Sequence, residues 1–442
     1  MRLKRFSLSM VALAATLALG TPLAAQAQSL QDLYEAARGF DATYLAAKAL
    51  ADSAQYRAEQ SEALNRPSAA LGATASAGQL ETPRTERGGN NSAGATLSGR
   101  YPLFNRANNA TIEQARKSLL TTQADLDAAE QDLIVRVAQA YFDVLGAQDT
   151  LATTRGSKAA ITEQLASAKR NFEVGTATIT DTREAQARFD LATAQELAAE
   201  NDVLTKRIAL DQLVGRAGVT PKLLAVPVVL PAPAPANAEE WVSVGDAQHP
   251  TVRKARVGLE VASLEINKAR AGDLPTVDAV ASVGASRASG SSLAVVPGTS
   301  KNASLGVQLN WPLYTGGATQ NRIKETLSLE EKARNDLEAA RRGVAQGTRV
   351  AFFGVQSGLS QVKALEAAES SSKLALEATQ LGYKVGVRVN LDVLNAQSQL
   401  FNTQRDLAKA RYDVLLNSLK LRQASGQLQP GDVSAVNSLL AK

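Results

Sequence analysis

The sequence predicts a mainly α-helical chain with a β-barrel portion. Long antiparallel coiled-coil helices form a rigid conduit, and four strands per chain contribute to a membrane-crossing β-barrel. Three observations carry this. The chain repeats itself: Pro67 pairs with Pro275 at an offset of 208 (275 − 67), Tyr101-Pro102-Leu103-Phe104 with Trp311-Pro312-Leu313-Tyr314 at 210 (311 − 101), and Ala140-Tyr141-Phe142 with Ala351-Phe352-Phe353 at 211 (351 − 140). Each half contains two segments that alternate apolar and polar, the period of a half-buried strand. Each half also contains a proline-free stretch of roughly 70 residues, about 100 Å of helix at 1.5 Å per residue. A unit this long is a duplicated supersecondary unit and not a solenoid repeat.

In chain order, residues 1–27 read as a secretory signal peptide. Arg2, Lys4 and Arg5 form its basic start, Leu8 to Gly20 its apolar core, and Ala25-Gln26-Ala27 a small-x-small cleavage site. Its removal takes three cations and no anions, so the net charge of +5 falls to +2 (5 − 3) and basicity no longer argues for nucleic acid. The chain has no cysteine, which excludes disulfides, thiolate chemistry and an N-terminal lipidated cysteine. Its one histidine, His249, precedes Pro250 at an expected helix start and is read as structural. Metal and cofactor sites are not expected. After the signal no apolar run is long enough for a transmembrane helix.

The first structural repeat covers 28–220. A helix from Leu30 to Leu64, with few breakers apart from Gly39, leads to strands at 68–79 and 92–102. Ala69, Leu71, Ala73, Ala75 and Ala77 share one face of the first strand; Ala93, Ala95, Leu97 and Tyr101 share one face of the second. Gly, Arg and Asn between Glu81 and Asn91 read as a loop. The long helix spans 105–173, with Ile112, Leu119, Leu126, Leu133, Ala140 and Ala147 recurring every seven residues as a coiled-coil seam. A Val-Gly turn at Gly175 precedes a return helix at 181–214, where Ala185, Ala192 and Ala199 form a small-residue stripe. Residues 221–240 are a Pro/Ala-rich linker.

The second repeat, 241–426, runs in parallel: a helix, strands at 275–286 and 302–312, a long helix at 318–384, a turn at Gly386 and a return helix at 391–425, with 427–442 as a C-terminal tail. Ile323, Leu337, Val344, Ala351 and Leu365 continue the seam, with Glu330 interrupting it. Strands of about ten alternating residues have the length to cross an outer membrane. Four strands cannot close a barrel, since the smallest have about eight, and hydrocarbon tolerates no open edge. The barrel must be shared between chains: two would supply eight strands, three twelve.

The turn Tyr383-Lys384-Val385-Gly386-Val387-Arg388 with Leu391-Asp392-Val393-Leu394-Asn395-Ala396, its first-half counterpart Asn171-Phe172-Glu173-Val174-Gly175 with Ile179-Thr180-Asp181, and the paired strand ends resemble the TolC family of outer-membrane efflux and type I secretion channels. The resemblance covers essentially the whole mature chain. It implies a homotrimer with a twelve-stranded β-barrel in the outer membrane of a Gram-negative bacterium and an α-helical barrel forming a tunnel across the periplasm. A periplasmic adaptor (membrane fusion) protein and an inner-membrane transporter would deliver cargo, and the pump would supply the free energy. The chain would be a channel and not an enzyme.

The resemblance also implies a closing latch at the periplasmic tip, placed on Thr180, Asp181, Tyr383, Arg388 and Arg411. Routine caps and surface pairs are the plainer reading of the same residues. The family's constriction uses two acidic positions three residues apart; here Asp392 occupies one and Asn395 the other, which implies three carboxylates where the family has six. Asp392 alternatively serves as a helix N-terminal charge. Tyr101, Phe104, Trp311 and Tyr314 are expected as an aromatic girdle at the membrane interface. The rival reading, a periplasmic coiled-coil adaptor or scaffold, shares the long helices but not two hairpins of membrane-spanning length.

Overall fold

The computed structural model describes residues 27–82, 85–225, 227–290 and 297–441. Residues 1–26 of the expected signal peptide lie outside them. The first repeat contains α1 (Leu30–Phe40), α2 (Ala42–Glu62), β1 (Ser68–Thr82), β2 (Thr85–Phe104), α3 (Arg106–Glu173) and α4 (Ile179–Val214). The second contains α5 (Ala238–Gln248), α6 (Pro250–Arg270), β3 (Thr276–Gly290), β4 (Gly298–Asn310), α7 (Ala318–Lys384) and α8 (Asn390–Ala424), followed by α9 (Pro430–Asn437).

Helix ends follow from local capping chemistry. The first helix breaks at Asp41 and not at Gly39, because the Asp41 carboxylate accepts from the Tyr44 amide at 2.8 Å and so starts α2. Arg136 adds two hydrogen bonds to that carboxylate, at 2.8 and 3.0 Å, and holds it well below the usual carboxylate range. In the second repeat the break falls at His249, whose Nδ1 accepts from the Thr251 amide at 3.1 Å while Pro250 occupies the first helical position. The expected linker is shorter than 221–240, since Asn237 caps α5 and Glu239 and Glu240 favour its first turn. The C-terminal tail carries α9, whose Val433 and Val436 pack on the core beside Leu30 and Leu33.

The four strands form one antiparallel sheet in the order β1-β2-β3-β4. The segment read as a loop from Glu81 is strand for most of its length: Asn91 pairs with Ala77, Asn90 with Gly78 and Gly89 with Gln79. Glycine and asparagine mark an exposed segment, but an exposed hairpin can keep zipping because its backbone pairing asks nothing of side chains. At the other end β4 stops at Asn310, so Trp311 lies just past the strand. Rows of side chains cross the sheet in register, as in Leu71–Leu97–Val283–Ala303 and Ala69–Gly99–Ala281–Leu305. The opposite face carries Ser98–Ser282–Ser304, with a 2.8 Å bond between the Ser282 and Ser304 hydroxyls, and an Arg100–Asp278 ion pair at 2.6 Å.

The helices form two hairpins side by side, α3 with α4 and α7 with α8; α2 packs beside α3, and α6 lies between α3 and α7. The main core sits at mid-length. There Leu133, Val137, Tyr141 and Leu145 of α3 meet Leu30 and Leu33 of α1, Leu210 of α4, and Leu415 and Leu419 of α8. Truncating any of these leucines to alanine would cost about 2–5 kcal/mol. The Tyr141 hydroxyl donates to the Lys222 carbonyl at 2.8 Å, strapping the linker to this core. The alanine stripe Ala185 and Ala192 is buried against Ile161, Leu165 and Ala168, so α3 and α4 approach closely toward the tip.

Candidate functional site

Two regions carry chemistry: the tip where both helical hairpins turn, and the exposed face of the sheet. The tip is built by the same turn twice. After α3, Gly175 adopts φ +77°, its amide donates to the Phe172 carbonyl at 3.0 Å, and the Thr176 amide donates to Asn171 at 2.8 Å. After α7, Gly386 adopts φ +81°, its amide donates to Tyr383 at 3.1 Å, and the Val387 amide donates to Gly382 at 2.9 Å. This is the bonding pattern of a Schellman motif, and it requires the left-handed residue that glycine supplies.

The residues expected as a latch have other partners within one chain. Asp181 completes a capping box: its carboxylate accepts from the Thr178 amide at 2.9 Å and hydroxyl at 2.7 Å. Thr180 lies exposed in the same first turn. The Tyr383 hydroxyl accepts from Asn171 Nδ2 at 3.2 Å, tying the end of α7 to the end of α3. Arg388 lies 3.6 Å from Asp392, one turn along. Arg411 pairs with Glu366 at 2.9 Å, between α8 and α7. Glu366 is 18 residues before the end of α7 (384 − 366), so this pair sits roughly 27 Å up the hairpin and away from the turns.

Besides the Asn171–Tyr383 contact, two further bonds near the tip join the hairpins and were not expected from sequence. Arg188 of α4 donates to Asn395 Oδ1 of α8 at 3.0 Å, and Gln164 of α3 bonds the buried Asn390 at the start of α8. Asn395 is thus the acceptor for a cation from the other repeat. Asp392, beside it, has Arg388 as its neighbour. Of the charges named here, Asp392 is matched by Arg388, while Arg188 meets only a neutral acceptor.

The sheet presents large apolar side chains outward: Leu71 is 74% exposed, Leu305 85% and Val307 69%. An apolar face this extensive demands a covering phase or partner. At its helical end Tyr101 and Phe104 are 43% exposed, Trp311 56% and Tyr314 89%, while Trp311 Nε1 donates to the Asp273 carbonyl at 3.2 Å. Aromatic rings with a satisfied polar end suit a boundary between apolar and wet surroundings. Among the described residues no helix is long and apolar enough to cross a membrane, and no cluster of His, Cys, Asp and Glu has the arrangement of a metal site.

The family model described as "Outer membrane efflux protein" matches residues 23–216 and 241–427, one segment per repeat. Outer membrane protein TolC of Vibrio cholerae serotype O1 is 33% identical over 423 residues, covering 95% of this chain and 96% of that protein. Alkaline protease secretion protein AprF of Pseudomonas aeruginosa is 32% identical over 346 residues, covering 77% of this chain and 71% of that protein. Among solved structures, the outer membrane protein VceC of Vibrio cholerae superposes with a TM-score of 0.76 at 20% identity, covering 90% of this chain and 96% of that one.

Proposed function

The chain belongs to the outer membrane efflux protein family, and from that premise we propose that three copies assemble as the exit duct of a tripartite exporter. It is an outer-membrane channel protein with a periplasmic helical tunnel, of the class that serves efflux and type I secretion. The carrying observation is the sheet. Four antiparallel strands with both outer edges open and an apolar outward face are a fragment of a barrel, and neighbouring copies must supply the rest. Three chains give twelve strands. The long helices α3 and α7, each about 100 Å, then line a conduit leading away from the membrane with the shorter return helices beside them.

In this assembly the polar face with Ser98, Ser282, Ser304 and the Arg100–Asp278 pair lines the barrel lumen, and Leu71, Leu97, Val283, Leu305 and Val307 face lipid. Tyr101, Phe104, Trp311 and Tyr314 form the interfacial girdle. The hairpin tips point toward a periplasmic adaptor and an inner-membrane transporter, which supply the cargo and the free energy. Thr180, Asp181, Tyr383, Arg388 and Arg411 are offered as latch residues, with Asp392 in the constriction. Three-fold repetition makes weak pairs count, because each exposed pair contributes about 0–1 kcal/mol but opens together with two copies.

The test is the mass of the detergent-purified particle, together with its single-channel conductance in a planar bilayer. A trimer with long-lived conducting states supports the reading. A monomer extracted without detergent would instead favour a periplasmic adaptor.

A further inference from the structure

The outward face of the sheet changes chemistry at a definite height. On β3 every outward residue from Val277 to Ala285 is apolar, and on β4 every one from Leu309 to Ala303. The next outward position on each strand is a cation, Arg287 on β3 and Lys301 on β4. Arg287 lies opposite Thr299 and Lys301 opposite Ala285, so the two cations are diagonal neighbours on one face. Such neighbours sit about 7–8 Å apart, within reach of long side chains. Both cations are exposed, neither has a partner among the described residues, and no carboxylate stands on the outward face of either strand.

That height is the outer rim of the apolar band. The long helices α3 and α7 leave the opposite end of the sheet for the periplasm, so Arg287 and Lys301 lie toward the cell exterior. Lys301 is eight residues from Leu309 (309 − 301), and Arg287 is ten from Val277 (287 − 277). At about 3.4 Å per residue and a tilt of about 40°, these separations rise roughly 21 and 26 Å from the aromatic girdle, against a band about 25 Å tall. A cation on the lipid face costs most at mid-bilayer and little at the interface. Both cations stand at the interface, among lipid headgroups.

Resting on the shared-barrel reading above, we propose that Arg287 and Lys301, with the Thr299 hydroxyl, bind the phosphate of a phosphorylated lipid headgroup in the outer leaflet, one site per protomer. The guanidinium fork suits two phosphate oxygens, the ammonium supplies a mobile point charge, and the hydroxyl adds a donor. A hollow of about 580 Å³, lined chiefly by Ala73, Ala75, Ala93, Ala95, Arg287 and Thr299, gives the lipid room beside the cations. Edge protection is the plainer reading of a lysine on β4, since charge blunts an open strand edge. It does not reach Arg287, whose strand is paired on both sides. The first repeat has the neutral Gln79 and Asn91 at the corresponding positions (287 − 208 and 301 − 210), so the cationic pair occurs once per chain.

The test is lipid binding to the detergent-purified particle, with the trimeric mass verified for every variant. Purified lipopolysaccharide, the phosphorylated glycolipid of that leaflet, is titrated in, and bound copies are counted by native mass spectrometry. Its dephosphorylated form and inorganic phosphate are titrated in parallel. The unaltered protein should bind lipopolysaccharide and neither comparison compound. Each cation near an anionic membrane surface strengthens binding about five-fold, so Arg287→Gln with Lys301→Gln should weaken it roughly 10- to 30-fold. Arg287→Lys with Lys301→Arg keeps both charges and should stay within about three-fold. Lys363→Gln with Lys373→Gln, which removes two cations from α7, should change nothing. Undiminished binding by the Arg287→Gln, Lys301→Gln variant overturns the proposal. So does equal binding of the dephosphorylated lipid, which would leave the acyl chains as the only attraction, or of inorganic phosphate, which would remove the lipid. A monomeric particle instead removes the shared barrel, and the lipid-facing assignment with it.

Discussion

Asn395→Asp is the substitution that reports most directly on the tip. In the folded chain Asn395 Oδ1 accepts a 3.0 Å hydrogen bond from Arg188, and the two residues belong to different hairpins. Replacing the amide with a carboxylate turns a neutral acceptor into an ionic one. The donor is already a cation, so the gain is only that of adding the second charge, and exposure at this site holds it to roughly 0.5–1 kcal/mol per chain. In the proposed trimer, three copies would together favour a closed tip by roughly 1.5–3 kcal/mol, on the order of 10- to 100-fold in the closed-to-open ratio. The assay is single-channel recording of the purified protein in a planar bilayer, with and without a trivalent cation. Asn395→Asp alone should lower open probability by about that factor and leave trivalent block weak, because Arg188 neutralises the new carboxylate. Arg188→Gln should raise open probability. Only the double variant places three unpaired carboxylates beside Asp392, so only it should be blocked strongly, and a further Asp392→Ala should relieve much of that block. Equally strong block of Asn395→Asp with and without Arg188 would rule out neutralisation of the new carboxylate by that cation.

Three further outcomes are expected. Tyr383→Phe removes the acceptor for Asn171 between the two hairpin ends and should raise single-channel conductance; unchanged conductance would show that the contact does not hold the tip closed. Gly386→Ala meets no neighbouring atom within 4 Å but must adopt φ +81°, so its cost is backbone strain of about 1–2 kcal/mol; protease nicking at that tip should increase, and Gly386→Asn should be milder. His249 is held neutral by burial, which lowers its pKa from the ordinary 6.5, and its Nδ1 must stay unprotonated to cap α6. The unfolded chain takes up the proton first, so stability falls as pH drops below about 6.5 and the loss is complete below the folded-state value. His249→Asn keeps a cap without that proton and should flatten this part of the melting-temperature profile between pH 7.5 and 4.5.

Much of the fold was legible because its signals are local. The heptad of α3, the Val-Gly turns and the alternation of β1 to β4 repeat at short range, and the duplication let each half check the other. Loop composition misled between Glu81 and Asn91, where Gly89 and Asn90 pair in the ladder. Hairpin extension is decided by the backbone partner opposite, and composition does not report it. The first break fell at Asp41 and not at Gly39 because a capping carboxylate starts a new helix more forcibly than one glycine ends an old one.

At the tip the division is sharper. Candidate types were readable: glycines to turn, charged residues near the turns. Their partners were not. Tyr383 meets Asn171 across 212 residues and Arg188 meets Asn395 across 207, and such pairs depend on the height and rotation of helices that the chain brings together from opposite halves. The repeat, the helical and strand periods and the apolar face of the sheet could be read along the chain, because each is a pattern of neighbouring residues. Which polar groups bond to which came from packing in three dimensions, because a hydrogen bond is set to within a few tenths of an ångström and no period in the sequence carries that information.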